Sequence, residues 1–308
     1  MAFSPARWRV VRGGRVSSQG GGSAAHDADG AVAPRIPKLI LQATMSPFDA
    51  DAYWEDRLRA SYDEKGVGDI GLSRAYNSHL YSIRRRVFRR CVRNLPVEPS
   101  TANVLDIGSG TGVYVDEWRS WGAPKVTGVD ITPTAVQRLG AAFPAFRFIQ
   151  SDIGEASQPP GIKGDYNIVS AFDVLFHIVD DDRYERALKN ISNALSPRGW
   201  FLYSENLVPR ESRLAHYVSR NEITILDALR RNGFEVVSRA PVFVFMNDPV
   251  RTQNRLLRRW YSLLHRVAAS GELVGGIVGA ALYPFELAAT RVVKRGPGTE
   301  ILVCRRTS

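Results

Sequence analysis

A chain of 308 residues and 34.2 kDa is about twice the commonest domain length, which favours one elaborated domain over several equal ones. Hydrophobic residues at 44% exclude wholesale disorder, and 23% charged residues exclude an integral membrane bundle. The excess of 41 Lys and Arg over 31 Asp and Glu invites a nucleic-acid or anionic-membrane partner, but the excess is unevenly spread. Residues 1–44 carry six basic and two acidic side chains, residues 251–308 carry ten and three, and the stretch between them is near neutral. The positive charge therefore sits at the ends and not in one binding cleft.

Residues 1–46 are rich in Gly and Ser without an apolar period, and read as a disordered extension. No apolar stretch follows the basic start, so a signal peptide is not expected, although Arg without acid over the first residues also suits an organellar transit peptide. Met45 opens the first well-patterned segment and reads as an internal start. Over residues 47–100 the apolar positions Tyr53, Trp54, Leu58, Tyr62 and then Leu80, Ile83, Val87, Phe88 and Val92 recur at helical spacing, predicting an N-terminal helical cap. The arginines among them, from Arg84 to Arg93, read first as a solvated face. Tyr76, Asn77, His79 and Tyr81 read as packing residues, with closure over a pocket as the second reading.

After Pro96 and Pro99 the period switches to alternating strands and helices, which predicts a parallel sheet flanked by helices. The expected strands are 103–107, 125–130, 147–151, 167–171, 200–204 and 234–242, with a last one over 300–306. A helix is expected over 183–195, begun by Asp180, Asp181 and Asp182 and stopped by Pro197 and Gly199. Cys91 and Cys304 stand outside any C-x-x-C spacing and the five histidines form no ligand pattern, so neither a disulfide framework nor a metal site is expected, and the compartment reads as reducing.

The sharpest local signal is Val104-Leu105-Asp106-Ile107-Gly108-Ser109-Gly110-Thr111-Gly112, a buried strand running into a glycine turn and then a helix. Asp130 ends the next strand, where an acidic side chain accepts the hydroxyls of an unphosphorylated ribose. Asp106 stands two residues before the first glycine, where a carboxylate would repel a pyrophosphate and suit a ligand that brings an ammonium to the loop. An adenosine joined to an amino acid and carrying no phosphate is S-adenosylmethionine.

At these residues the chain resembles the class I S-adenosylmethionine-dependent methyltransferases: D-I-G-S-G-T-G followed by V-T-G-V-D, then Ser151-Asp152-Ile153, then Ala171-Phe172-Asp173-Val174-Leu175-Phe176-His177. The likeness extends from about residue 103 to 239 and over the last strand. It implies an α/β fold with a seven-stranded, mostly parallel Rossmann-like sheet and helices on both faces. The core would span 101–246 and 298–308, with a helical insert over 247–297. It also implies that Asp106 reads the donor's ammonium, directly or through water, and that Gly108, Ser109 and Gly110 give close contacts. Asp130 would hold the ribose, Ile131 and Ile153 would sandwich the adenine with Asp152 at its edge, and Ala171 and Phe172 would line the methionine side.

Methyl transfer from a sulfonium is an in-line displacement needing alignment and exclusion of water. For a hydroxyl acceptor, His177 is the first candidate base, since it follows the fourth strand; its bland reading is a packed helix-start histidine. Glu205 is the second, with Asp173 and Asn206 behind it. No N-P-P-Y-like segment follows the fourth strand, which disfavours a nucleic-acid base as acceptor; no paired-glutamate loop or metal-dependent Asp, Asp, Asn set is evident either. The expected acceptor is a small molecule, lipid or glycan, methylated on oxygen, in the cytoplasm. The rival is a donor-binding domain without catalysis that recruits partners.

The insert has two halves. Residues 251–267 read as a basic amphipathic helix, and 273–285 as an uncharged 13-residue run broken by Pro284. Thirteen residues rise about 20 Å, short of a roughly 30 Å hydrocarbon core, so a transmembrane span is not expected. The insert is expected either as a lid over the acceptor pocket or as an interfacial anchor, with peripheral membrane contact through 251–290.

Overall fold

The computed structural model describes residues 48–307; the expected extension at 1–46 lies outside them. The chain runs α1 (Ala50–Ala60), α2 (Glu64–Val67), α3 (Arg74–Arg93), β1 (Asn103–Ile107), α4 (Val113–Ser120), β2 (Lys125–Asp130), α5 (Pro133–Ala142), β3 (Arg147–Gln150), β4 (Tyr166–Ala171) and α6 (Asp181–Ala194). It continues β5 (Leu195–Glu205), β6 (Ser212–Arg213), β7 (Val218–Ser219), α7 (Glu222–Arg231), β8 (Phe234–Pro241), α8 (Arg255–Ala268), α9 (Glu272–Val292) and β9 (Glu300–Arg306). Seven strands form one sheet in the order β3-β2-β1-β4-β5-β9-β8, with β9 antiparallel to both neighbours and the other pairings parallel. This is the seven-stranded, mostly parallel sheet that the sequence resemblance implies.

Both faces of the sheet are covered because successive strand residues point to opposite sides. Val104, Val126, Ile168, Leu202 and Val303 pack with α3, α4 and the α8–α9 hairpin. Leu105, Val129, Val169, Phe201 and Leu302 pack with α6 and α7. Strand order reverses between β1 and β4, so the segments after the carboxyl ends of β1, β2 and β4 open onto one crevice.

Local chemistry starts the helices where they are needed. Thr132 accepts the Ala135 amide and Pro133 takes the first helical position of α5. Asp180 caps α6, with Asp181 and Asp182 in its first turn. Leu195, expected to end that helix, instead begins β5: it pairs with Tyr166 beside a register shift, and the Ser-Pro-Arg-Gly stretch that reads as a stop is absorbed into the strand, with Arg198 at φ 61. The β6–β7 hairpin has no counterpart among the expected elements.

The insert departs from expectation in length. The uncharged run lies inside α9, a 21-residue helix that continues through Pro284. Pro284 and Ala280 both face solvent, where the carbonyl that the proline leaves unbonded meets water. By length and composition alone α9 could cross a membrane, but it is docked on α3. Gly275 approaches Ser73 and Gly279 approaches His79, and the fully buried Glu286 accepts the Val244 and Phe245 amides. Glu272 accepts the amides of Arg74 and Ala75, Ser73 donates its amide to the Ala268 carbonyl, and His265 pairs with Asp69 at 3.4 Å. The insert thus braces the segment that leads into α3.

Candidate active site

A cavity of about 530 Å³ opens at the crevice, within the usual range for small-molecule sites. Its floor is the glycine turn. Gly108, Gly110 and Gly112 have φ of 67°, 50° and 84°, a left-handed conformation that glycine adopts without strain. A Cβ at Gly108 would fall 2.1 Å from Val174 Cγ2, so the turn and the segment after β4 touch only because the side chain is absent.

Asp130 is buried at the carboxyl end of β2 and lines the cavity. Its Oδ1 accepts the Thr132 amide at 2.9 Å and hydroxyl at 2.7 Å, and its Oδ2 accepts the Gly110 amide at 2.8 Å. Three of its roughly four lone-pair sites are therefore taken, leaving one on Oδ2 for a ligand hydroxyl. Burial pushes its carboxyl up, opposed by those hydrogen bonds. Ile131 and Ile153 line the same cavity. Asp152 lines it too, but its carboxylate is shared between the Gly154 amide and the Arg183 guanidinium, so the capping reading of this residue holds alongside any ligand role.

Asp106 sits one layer deeper than expected. It is almost fully buried, does not line the cavity, and accepts a 2.6 Å hydrogen bond from the Ser170 hydroxyl, which in turn accepts the Trp118 indole N–H at 3.0 Å. Burial, opposed by the hydroxyls of Ser170 and Ser109, raises its carboxyl to about 7. Ser109, Gly108 and Gly110 separate it from the space. Ala171 is likewise buried behind the lining, whereas Phe172 lines it, stacked on Tyr114 at 4.2 Å.

At the other end, His177 closes a short 3-10 turn (Leu175–His177) and lines the cavity. Its Nδ1 donates to the His216 carbonyl at 2.8 Å, and because a carbonyl only accepts, the proton of the neutral ring is on Nδ1 and the lone pair on Nε2. Its ring meets Trp54 edge-on at 4.7 Å. Burial drives its pKa down to about 4. Asp173, also lining, has φ 58° and is engaged by Arg84 at 2.8 Å and by the Ser204 hydroxyl at 3.0 Å.

Glu205 corrects the sequence reading. It is fully buried away from the cavity, accepting the Asn206 amide at 2.9 Å, and its carboxyl is raised to about 7 by burial. It is the last residue of β5, and its side chain turns inward toward Tyr184. Asn206 is also off the cavity, accepting the Thr299 hydroxyl.

The lid is a second correction. No residue of α8 or α9 lines the cavity; Phe48, Ala50, Trp54 and Leu58 of the α1 segment, Val67 of α2 and Tyr81 of α3 close it. Tyr62 donates to the Gly110 carbonyl at 3.0 Å, tying the cap to the turn. Tyr76 bonds to the Met246 carbonyl, Asn77 to the loop before α3, and His79 packs against α9. The aromatic pair Tyr53-Trp54 was visible in the sequence, but its position over the cavity depends on a contact with the distant residues His177 and His216.

The family description "Methyltransferase domain" matches residues 76–264, more than half of the chain. The chain belongs to this family. The methyltransferase is 44% identical over 43 residues to human EEF1A lysine methyltransferase 2, a match covering 14% of this chain and 18% of that protein. Among solved structures it resembles a chain of the Haloferax volcanii complex between the Trm112 methyltransferase activator and a methyltransferase. That likeness has a TM-score of 0.53 at 16% identity, covering 85% of this chain and 100% of the other. It also resembles a Leishmania major S-adenosylmethionine-dependent methyltransferase, with a TM-score of 0.51 at 18% identity over 63% and 74% of the two chains. These likenesses show the fold. The fold is that of the class I methyltransferases, and S-adenosylmethionine is the cofactor that the sequence motifs imply for it.

The residues present fit that cofactor. The glycine turn leaves backbone exposed where a Cβ would intrude, Asp130 keeps one acceptor site, and Ile131 and Ile153 supply apolar walls.

Proposed function

We propose that this methyltransferase methylates a hydroxyl of a small molecule, lipid or glycan, with His177 receiving the hydroxyl proton. The observation that carries this reading is that the other acidic groups at the cavity are engaged. Asp130 is held by Thr132 and Gly110, Asp152 by Arg183, Asp173 by Arg84, and Asp180 caps α6. His177 lines an aromatic-walled space in the neutral tautomer that the His216 carbonyl selects, with the lone pair on Nε2.

When bound, S-adenosylmethionine supplies an electrophilic methyl group on a sulfonium. Asp130 would hold a ribose hydroxyl, and Ile131 and Ile153 would supply the apolar walls for the adenine, with Asp152 beside them. Gly108, Ser109 and Gly110 would carry the close backbone contacts, with Asp106 bracing the turn from behind through the Ser109 hydroxyl that its carbonyl accepts. Phe172 and Tyr114 wall the methionine side, and Trp54 and Leu58 exclude water. His177 orients the acceptor hydroxyl and takes its proton as oxygen–carbon bond formation makes that proton acidic. Both cysteines are free and buried, which supports a cytoplasmic setting.

Labelled-donor transfer into fractionated cell extract tests the reading. His177→Ala should lower kcat by about 10² to 10⁴ with adenosylhomocysteine affinity unchanged. Because the ring is protonated only toward pH 4, this group should leave the rate flat from pH 8 to 6 and depress it below 5. Full activity of the variant removes His177 from the chemistry.

A further inference from the structure

The outer side of the α8–α9 hairpin carries apolar side chains that nothing in the described residues covers. On α8, Leu256, Trp260 and Leu263 recur at helical spacing and are exposed, Leu256 to 75%. On α9, Leu273, Ile277, Phe285 and Val292 are exposed at 77%, 61%, 67% and 80%. Ala280, Ala281, Pro284 and Ala288 continue that stripe without a charge. The opposite side of α9 is occupied by α3, through Gly275 and Gly279. A contiguous apolar surface of this kind marks a contact site.

Its rim has one sign of charge. Residues 251–295 hold eight basic and two acidic side chains. Of the two acids, Glu286 is buried and Glu272 is held by the Arg74 and Ala75 amides. Arg255, Arg258, Arg259 and Arg266 are exposed on α8, and Arg291 and Lys294 at the end of α9. Neighbouring positions on α8 alternate between the apolar stripe and the arginines, the arrangement of a helix lying in a headgroup layer.

We propose that this face lies flat on an anionic lipid surface. The apolar stripes enter the boundary between headgroups and acyl chains, and the guanidinium groups meet phosphate and carboxylate headgroups. Three observations favour this occupant. A symmetric dimer through the same face would set one basic rim against another. A polyanion in water would pair with the arginines and leave Ile277 and Phe285 exposed. Neither helix lines the cavity, so a soluble acceptor has no need of the surface. The helix lies on the membrane and does not span it, because Glu286 and the glycine contacts hold its other side against the protein. The proposal is independent of the acceptor's chemistry.

The test is co-sedimentation of the full chain with vesicles of phosphatidylcholine alone or mixed with phosphatidylglycerol. Binding is expected to the mixed vesicles, much weaker to the neutral ones, and reduced by salt. The triple variant Arg255→Gln, Arg258→Gln, Arg259→Gln should lose about hundredfold in partitioning. The double variant Ile277→Asp, Phe285→Asp should not bind. Adenosylhomocysteine titration of the same samples reports folding and the donor site separately, and should be unchanged in both variants. Absence of binding to mixed vesicles overturns the proposal. So does a dimer that the double variant splits, or equal vesicle binding by parent and variants.

Discussion

Two buried carboxyls make the stability of the fold depend on pH. Asp106 and Glu205 are raised to about 7, in each case by burial first. The folded chain therefore holds protons on them that the unfolded chain has released, and stability falls as pH rises from about the unfolded value near 4 through 7. Glu205→Gln keeps an oxygen for the Asn206 amide and removes the titration. It should stabilise the protein by about 1 to 3 kcal/mol at pH 8, with little effect at pH 5. Thermal unfolding across pH measures this; an unchanged midpoint at pH 8 contradicts the burial argument. At Asp130 the expectation concerns the ligand: Asp130→Ala should weaken adenosylhomocysteine binding by about 1 to 3 kcal/mol, and unchanged affinity by calorimetry refutes the ribose assignment. The position of Asp130 was legible because the carboxyl end of β2 opens onto the cavity that it lines. It could not place Asp106 or Glu205, since depth behind a loop and the inward turn after β5 are set by Ser170, Tyr184 and Asn206, which no local pattern links to them.

Among elements, the strands were legible because buried parallel strands are short apolar runs and β1, β2 and β9 matched their expected bounds. The end of α6 was not legible, because Leu195 suits a helix and a strand equally and only its pairing with Tyr166 decides. Pro284 misled for a similar reason: a proline breaks a helix only where the freed carbonyl lacks a partner, and on an exposed face water supplies one. The α3–α9 contact makes its own prediction. A Cβ at Gly279 would fall 2.3 Å from His79 Cδ2, so Gly279→Leu should push α9 away from α3 and lower the thermal midpoint by several degrees. Gly276, whose Cβ would meet only the Ala75 Cβ at 3.4 Å, should accept alanine with no loss.

In the molecule as a whole, three parts have separate duties around one crevice that two of them line. The sheet presents the glycine turn and Asp130; the cap closes the cavity through Trp54 and Leu58; the insert braces the cap through Asp69, Ser73 and Arg74 while turning an apolar, positively rimmed face outward. The cap's role stayed hidden in the sequence because Trp54 and His177 are more than a hundred residues apart. The measurement that bears most directly on the whole is calorimetric titration of the purified chain with adenosylhomocysteine and, separately, with NADH. One molecule of adenosylhomocysteine should bind per chain and NADH should not. Tight NADH binding without adenosylhomocysteine binding would contradict a site built for a nucleoside that carries no phosphate.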